Sequence, residues 1–411
     1  MALPSTLGKA VALGAAAAVG VELVTAAAVT VIAGRRRRRR KLGGFPYLKS
    51  VSVDVAENRL TIYTHGAGLY DAMIEAIDQA RDYVYLETFI WKSDAVGRRF
   101  LDAITRAADR GVTVATIYDV FANLVVPSAF FRFPPHVMVH PYPLFGGGLL
   151  FFHPRNSGRD HRKILVVDGR IAFTGGFNLG SLYENGWRDT HLRVEGSFAA
   201  ELEETFVDQW NSSPGAPRRQ LPAPAQRTWV PELRLYRNTP RLFVYPIRNL
   251  YLDAIKKAEQ HIWLTHAYLI PDDDLLRALA QAACRGVDVS IIIPDQSNHV
   301  LADWLARDRY ETLLLAGVKL FLYQGAMIHS KTATIDHTWS TIGTANLDTI
   351  SLLGCYEVNV EILSEEFAAV MEEAFRVDLG NCRPLSLDDW RRRPWYARLS
   401  EAILSPLRPL L

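Results

Sequence analysis

The pattern His-x-Lys, followed by four residues and an Asp, occurs twice in this 411-residue chain and constrains the fold more than any other feature. The first copy begins at His161 and the second at His329. A Gly, an Asn and an acid follow each His at equal offsets of 14, 17 and 28 residues. The residues so placed are Lys163, Asp168, Gly175, Asn178 and Asp189 in the first copy, and Lys331, Asp336, Gly343, Asn346 and Glu357 in the second. Shared offsets indicate an internal duplication.

Both copies have the composition of β-strands. Apolar and β-branched residues dominate 164–167 and 333–335, and turn residues follow them. Residues two apart share one face of a strand, so we expect each His to point the same way as its Lys. An imidazole beside an ammonium suits a phosphate, because Lys stabilises charge on its oxygens while His attacks phosphorus or transfers a proton.

The residues before each motif repeat one order of predicted elements. In the first half we predict a helix over 69–80, a strand over 84–91, a helix over 98–108 ended by Gly111, and a strand over 112–118. In the second half we predict a helix over 250–258, a strand over 262–270, a helix over 275–284 ended by Gly286, and a strand over 287–293. The fold class is therefore α/β, with two similar halves that each contain a sheet flanked by helices.

The paired motifs resemble those of the phospholipase D superfamily, and among its members the chain is most similar to bacterial cardiolipin synthases. The resemblance covers about residues 60–411 and rests on four segments: Tyr85–Trp91, His161–Asn178, Trp187–Gly196 and Ile342–Asp348. It implies two pseudo-symmetric phospholipase D-like αβα sandwich halves that face each other across a pseudo-two-fold axis. Each half then supplies one His and one Lys to a single site.

The resemblance also implies a role for each motif residue. One His attacks phosphorus to form a covalent phosphohistidine, while the other protonates the departing oxygen and then acts as a base on the incoming hydroxyl. By analogy, His161 is the nucleophile and His329 the acid. The supporting groups are Lys163 and Lys331 for phosphoryl charge, Asn178 and Asn346 as hydrogen-bond donors, and Asp189 and Glu357 to orient the imidazoles. Asp168 and Asp336 complete the catalytic motifs, where we expect them to brace their own loops.

The two copies differ at two positions, and neither difference removes a group that the chemistry needs. Gly176 in the first copy corresponds to Thr344 in the second, and Gly169 corresponds to His337. No metal-ligand spacing is apparent, and the three cysteines are scattered. We therefore expect a reaction that requires no metal and no other cofactor.

These residues predict a cardiolipin synthase-like phosphatidyltransferase that acts on phospholipids. It would move a phosphatidyl group from one phosphatidylglycerol to another and release glycerol. A phospholipase D that uses water as the acceptor remains an alternative. A nuclease is disfavoured, because residues 42–411 carry 38 basic and 43 acidic residues, a net charge of −5, and no nucleic-acid partner is expected. An inactive lipid-binding scaffold is disfavoured by the intact His and Lys residues.

The N-terminal residues 1–41 are predicted to anchor the protein in the cell membrane. Residues 10–33 are long enough for one transmembrane helix, although Glu22 is unfavourable there. The basic run Arg35–Lys41 follows at once and predicts a cytoplasmic body. A cleaved signal peptide is the alternative, but its positive charge should precede the apolar run.

The remaining boundaries follow from composition. We predict a first half over 42–211, a linker rich in Pro and Ala over 212–231, a second half over 232–384 and an amphipathic tail over 385–411. The aromatic segment 121–152 is either a lipid-facing lip of the site or a connection packed in the core. The tail, with Trp390 and Trp395 among arginines, is either an interfacial helix or a terminal helix packed on the body.

Overall fold

The structure is a computed structural model that describes residues 44–144, 158–213, 215–224, 229–297 and 309–393, with the single residues 395 and 403. The predicted anchor 1–41 and the portion 145–152 of the aromatic segment lie outside the described residues. Within the described ranges, no helix is both long and apolar enough to cross a membrane.

The first half contains nine strands and four helices in its described residues. In chain order they are β1 Val51–Val55, β2 Asn58–Tyr63, α1 Gly66–Gln79, β3 Tyr83–Thr88, α2 Ala95–Asp109, β4 Thr113–Asp119, β5 Val137–Tyr142, β6 Ile164–Val167, β7 Ile171–Gly175, α3 Ser181–Asn185, β8 Trp187–Arg188, β9 His191–Glu195 and α4 Ala199–Ser212. Eight strands form one sheet in the order β1-β2-β9-β7-β6-β3-β4-β5. In that series only the pairs β3–β4 and β4–β5 are parallel, and the other neighbouring strands are antiparallel.

The second half repeats this plan. Its elements are β10 Leu233–Asn238, α5 Pro246–Lys257, β11 His261–His266, α6 Asp273–Cys284, β12 Asp288–Pro294, β13 Lys319–Tyr323, β14 Met327–Ile328, β15 Lys331–Ile335, β16 Trp339–Gly343, α7 Thr349–Leu353, β17 Glu357–Leu363, α8 Glu365–Leu379, β18 Cys382–Leu385 and α9 Leu387–Arg391. The sheet order is β10-β17-β16-β15-β11-β12-β13-β18. Seven of its strands correspond to β2, β9, β7, β6, β3, β4 and β5. The predicted α/β fold with two sheet-containing halves is confirmed.

Each sheet is covered by helices on two faces. Helices α1 and α2 pack on one face of the first sheet, and α5 and α6 pack on the matching face of the second. A third core contains apolar residues of α4, of α8 and of both sheets, among them Phe206, Val166 and Val358. The halves are therefore joined by a continuous apolar core.

The ends of α2 and α6 coincide with local capping residues. The Asp94 side chain accepts a hydrogen bond from Gly97 N and caps α2, and Asp272 caps α6 in the same way. Gly111 and Gly286 follow these helices with φ of +90° and +95°, as the predicted glycine caps require. The glycine caps predicted for both helices are confirmed.

The predicted strands were too long at one end. The strand predicted over 84–91 ends at Thr88, and the strand predicted over 262–270 ends at His266. Trp91 is fully buried, although it makes only an isolated bridge to Leu179. The apolar residues after each strand belong to buried loops, which have the same composition as a buried strand. In the first motif β6 begins only at Ile164, so His161 and Lys163 precede the strand and do not lie within it as predicted.

Trp390 does not lie at a free amphipathic surface. Its side chain is 5% exposed and packs against the ring of Tyr310, with ring centroids 5.4 Å apart. The prediction of an interfacial helix is therefore wrong for Trp390, because the second-half core buries this indole. Trp395 is 70% exposed, and residues 396–402 lie outside the described residues.

The last residue of each motif braces the chain at the start of a neighbouring strand. The Asp168 carboxylate accepts hydrogen bonds from the backbone N–H groups of Arg81, Asp82 and Tyr83, at 2.8–2.9 Å. Asp336 accepts from the N–H groups of Glu259, Gln260 and His261 in the same way. Both aspartates lie at the ends of β6 and β15 opposite to the histidines, so their contacts are structural.

We expect Asp168→Ala to lower the free energy of unfolding by about 1–3 kcal/mol, because three backbone donors lose a charged acceptor. Urea unfolding followed by circular dichroism measures this. The control is Asp54→Ala, which removes an exposed acid paired with Arg59 and should change stability by less than about 0.5 kcal/mol. Equal effects of the two substitutions would show that the bracing contacts contribute nothing.

Candidate active site

Each motif lies against the other half of the molecule. The residue before His161 forms a bridge with Tyr356, and His161 N donates to Tyr356 O at 3.1 Å. In the second copy, β14 pairs in parallel with β8, and His329 N donates to Arg188 O at 2.6 Å. Tyr356 and Arg188 each precede one of the two predicted orienting acids. Backbone pairing between the halves therefore places each His beside an acid of the opposite half.

The imidazole–acid pairs are crossed. His161 Nδ1 lies 2.9 Å from Glu357 Oε1, and His329 Nδ1 lies 2.6 Å from Asp189 Oδ2. Both carboxylates are buried, with side chains at most 2% exposed. The equal offsets of the acids in sequence suggested an orienting function but not that each acid serves the His of the other copy.

The acids determine which imidazole nitrogen is available for chemistry. Burial opposes ionisation of Asp189, but Lys331 and His329 hold its pKa below the usual value. Glu357 is similar, with His161 and Lys163 holding its pKa low. An ionised carboxylate only accepts hydrogen bonds, so Nδ1 of each His carries the proton and donates it. The Nε2 lone pair of each His is then free to react.

Burial keeps both imidazoles neutral. It lowers the pKa of His329 to about 3, and the neighbouring Lys331 acts in the same direction. The pKa of His161 is also lowered by burial. Aromatic rings contribute to this environment: Phe89 lies edge-on to His161 at 4.7 Å between ring centroids, and Trp187 lies 5.0 Å from His329. Neutral imidazoles are nucleophilic, which suits attack on phosphorus.

The two lysines lie inside the same buried site. Lys163 Nζ donates to His161 O, and Lys331 Nζ donates to His329 O. Burial lowers the pKa of Lys163 to about 7 and that of Lys331 to about 8, and the charge of Lys331 contributes to the shift of Lys163. The two halves are thus coupled electrostatically. A bound anion would favour the charged form of both lysines.

The difference between Gly176 and Thr344 follows from the two acids. A Cβ at Gly176 would lie 1.9 Å from Asp189 Oδ1, so the carboxylate occupies the space of a side chain. In the second copy the Thr344 hydroxyl donates a hydrogen bond to Glu357 Oε2. Asp189 instead accepts from Thr190 N at 2.7 Å. Each carboxylate therefore has a second donor, and the hydroxyl missing from the first copy is replaced by a backbone amide.

The two asparagines are held differently. Asn178 Oδ1 accepts from Ile90 N at 3.1 Å, which leaves its Nδ2 group as the donor. Asn346 Nδ2 lies 3.4 Å from Ser351 Oγ, and its Oδ1 is buried without a partner among the described residues. The structure therefore fixes the amide orientation more firmly in the first copy than in the second.

Two buried arginines near the site form ion pairs that were not predicted. Arg188 makes a bidentate pair with Asp378 of α8, with both N···O distances 2.7 Å, and so joins the halves beside His329. Arg162, between His161 and Lys163, lies 2.8 Å from Glu87 Oε1 and 3.3 Å from Asp160 Oδ1. Arg188 lies within the Trp187–Gly196 segment of the resemblance. Its partner is 190 residues away, and no sequence signal identifies it.

The arrangement is suited to exchange of a phosphodiester. It offers two imidazoles with free Nε2 atoms, two ammoniums for phosphoryl oxygens and two carboxylates that hold the imidazoles in place. One imidazole is able to attack phosphorus while the other transfers a proton to the leaving oxygen. Every imidazole–acid pair contains one member from each half, so neither half holds a complete site.

Comparison with known proteins agrees with this geometry. The family model described as "Cardiolipin synthase, PLD-like domain" matches residues 73–210 and 251–379. The chain is 31% identical over 376 residues to a cardiolipin synthase of Clostridium perfringens, covering 86% of this chain and 77% of that one. It is also 31% identical over 372 residues to cardiolipin synthase 1 of Staphylococcus epidermidis, covering 86% and 74%.

A solved structure with the same fold is that of phosphatidylserine synthase from Haemophilus influenzae. It aligns with a TM-score of 0.68 over 92% of this chain and 100% of its own, at 14% sequence identity. At that identity the likeness concerns the fold.

The crossed pairing is testable by nitrogen NMR of ¹⁵N-histidine-labelled protein. We expect Glu357→Gln to shift the Nδ1 resonance of His161 and Asp189→Asn to shift that of His329, because each substitution replaces a charged acceptor with an amide. The resonances are assigned with His161→Ala and His329→Ala. The opposite result, in which Asp189→Asn shifts only His161, would show that each acid serves its own copy.

Proposed function

The chain belongs to the cardiolipin synthase family of phospholipase D-like proteins, and from this premise we propose that it transfers a phosphatidyl group between two phosphatidylglycerol molecules. The products would be cardiolipin and glycerol. The observation that carries the proposal is the pair of crossed imidazole–carboxylate contacts, which brings both motifs to one buried site. Phospholipids are the substrate class, and no metal takes part in the chemistry.

The first step forms the covalent intermediate. His161 Nε2 attacks phosphorus, the bond to the glycerol oxygen breaks, and His329 gives that oxygen a proton. We assign the nucleophile to His161, because 14% of its side chain remains exposed, compared with 6% for His329, and it is therefore the more accessible to a phosphodiester. The negative charge of the bound phosphodiester raises the pKa of His329, so that this imidazole carries the proton it must donate.

The second step returns the site to its starting state. A hydroxyl of the second phosphatidylglycerol gives its proton to His329 and attacks phosphorus, and the bond to His161 breaks. Lys163 and Lys331 stabilise the charge on the phosphoryl oxygens in both steps, with Asn178 as a further donor. Glu357 and Asp189 hold the imidazoles in the reactive tautomer and stabilise their positive charge.

The membrane supplies both substrates, and we place the body at its cytoplasmic surface, tethered by a single N-terminal span within residues 1–41. Two exposed apolar tips lie beside the chain that leads into His161. One contains Phe121, Leu124 and Val125, with the Phe121 ring 5.6 Å from the guanidinium of Arg159. The second contains Leu242, Phe243 and Val244. These residues follow Pro240, whose side chain lies close enough to Gly158 to contact a Cβ at that position. Exposed apolar tips at the entrance to a site suit contact with a lipid surface.

Hydrolysis is the second candidate function. The same active site would catalyse the second step with water in place of the second lipid. The product would then be phosphatidic acid. This alternative shares the first step and every proposed residue of the site. It differs only in the acceptor, so product analysis separates the two.

The proposal is tested by incubating the purified full chain with vesicles of phosphatidylglycerol and identifying the products by mass spectrometry. We expect cardiolipin and glycerol, and a loss of at least about a thousandfold in turnover for His161→Ala and for His329→Ala, since each removes a group used in both steps. The intact protein, denatured during turnover, should carry a phosphatidyl group on His161.

The control for this experiment is His136→Gln, which removes an exposed histidine paired with Asp109 at the surface and should leave turnover unchanged. Phosphatidic acid as the main product would replace the transferase by the hydrolase. Undiminished turnover in either alanine variant would refute the two-histidine mechanism itself.

The pH dependence of kcat/KM follows from the lysines. The free enzyme needs charged ammoniums to bind the phosphodiester, and burial lowers the pKa values to about 7 for Lys163 and about 8 for Lys331. Because protonation is complete below these values and lost above them, we expect kcat/KM to fall as pH rises through 7–8. The lowered pKa of His161 keeps the nucleophile neutral on the acid side. A profile that stays flat to pH 9 would contradict the assignment.

A further inference from the structure

The second half carries a cluster of two histidines and a glutamate at the opposite end of β15 from the active site. His337 Nδ1 lies 2.7 Å from Glu372 Oε1, and His261 Nε2 lies 3.4 Å from the same oxygen. One ligand atom from each of the three residues lies within 4.8 Å of the others, and this is the one such group of His, Cys, Asp and Glu residues in the described part of the chain. Nitrogen and carboxylate ligands in this arrangement suit Zn²⁺ and its first-row neighbours.

One ligand atom of the cluster is buried without a hydrogen-bond partner. His261 is 5% exposed, and its Nε2 has no such partner among the described residues, although it points at Glu372. An unsatisfied buried polar atom costs free energy, and coordination of a cation would remove that cost.

The first half provides an internal comparison at the same position in the fold. There the corresponding residues are Tyr83 at the start of β3, Gly169 in the turn after β6 and Glu203 on α4. Tyr83 Oη donates to Glu203 Oε1 at 2.9 Å, so that carboxylate already has a partner. The glutamate is present in both halves, whereas both imidazoles occur only in the second. The second half therefore differs at this position by gaining two metal-binding groups.

His337 is placed in the cluster by an unfavourable backbone conformation. It follows Asp336 in the turn between β15 and β16, and its φ is +60°. Gly169 occupies the corresponding position in the first half with φ +61°, where no side chain is strained. A residue with a Cβ atom rarely adopts this φ. Residues that do so are concentrated at functional sites.

The surrounding charges orient the cluster. Arg376 donates to Glu372 Oε2 at 2.8 Å, which turns Oε1 toward the two imidazoles. The carboxylate of Asp336 accepts from His261 N and fixes the strand end that carries this ligand. Asp288 contributes negative charge near His261. A carboxylate held by a neighbouring donor is the usual support for a metal ligand.

We propose that His261, His337 and Glu372 bind one divalent first-row transition metal ion, with Zn²⁺ as the preferred ion. The 3.4 Å separation of His261 Nε2 and Glu372 Oε1 is close to the spacing of two ligands about 2.0–2.1 Å from one tetrahedral ion. Bound water completes the coordination. The ion ties the start of β11, the β15–β16 turn and α8 together, and it stands apart from the phosphoryl chemistry.

The test uses the full chain, without any histidine tag and freed of metal, titrated with ZnCl₂ in a calorimeter. We expect one equivalent to bind and the melting temperature to rise as Zn²⁺ is added, because the ion binds the folded chain. Co²⁺ in place of Zn²⁺ should give visible absorption bands. His337→Gly should weaken binding at least tenfold and abolish the bands.

The glycine variant is expected to fold, because the first half uses glycine in this turn, and circular dichroism verifies this. The matched control is His136→Gln, which removes a surface imidazole paired with Asp109 and should leave the affinity unchanged. Absence of stoichiometric binding by the unmodified chain, or equal affinity in the His337→Gly variant, would overturn the proposal. The readouts do not depend on turnover, so they stand apart from the proposed transferase function.

Discussion

The backbone pairing between the halves is the constraint on which the site depends. The chain at Tyr356 aligns with the chain entering His161, and β8 aligns with the chain entering His329. Each alignment brings an acid of one half to the imidazole of the other. A separated half would keep its His and Lys, but its carboxylate would have no imidazole to contact, because each carboxylate contacts the His of the other half. Complete chemistry therefore requires closure of the duplicated chain on itself, which the shared apolar core stabilises.

The buried charges balance before substrate arrives. Two carboxylates face two ammoniums, and the imidazoles are neutral because burial disfavours their charged forms. A phosphodiester adds one negative charge, which favours protonation of one imidazole. In the proposed mechanism, the bound substrate thus generates the acid that protonates the leaving oxygen. Each carboxylate accepts a hydrogen bond from an imidazole of the opposite half, which offsets part of the cost of burying its charge.

Sequence reasoning predicted the α/β duplication, the glycine helix caps and the two sets of His, Lys and acid residues that the fold brings together, since these depend on local composition and repeated spacing. It could not predict that the acid pairing is crossed, because equal offsets are compatible with pairing within or between copies. It placed His161 in the strand that continues at Ile164, whereas β6 begins only at that residue. The pair Arg188–Asp378 and the cluster around Glu372 join residues 190 and up to 111 positions apart, and no local pattern records such contacts.

Comparison of the two halves shows that the two ends of β6 and β15 are under different constraints. At the end of β6 and β15 that carries the histidines, both copies keep the same groups, and even the exchange of Gly176 for Thr344 preserves a donor to each acid. At the other end the aspartates still brace the chain, but Tyr83 and Gly169 correspond to His261 and His337. In the proposed reaction both halves act on one phosphate, so both need the same chemical groups at the active-site end. The turn at the other end of each half does not contact the phosphate, so its residues are able to differ. The backbone strain at His337 costs free energy, and the proposed binding of a cation would offset that cost.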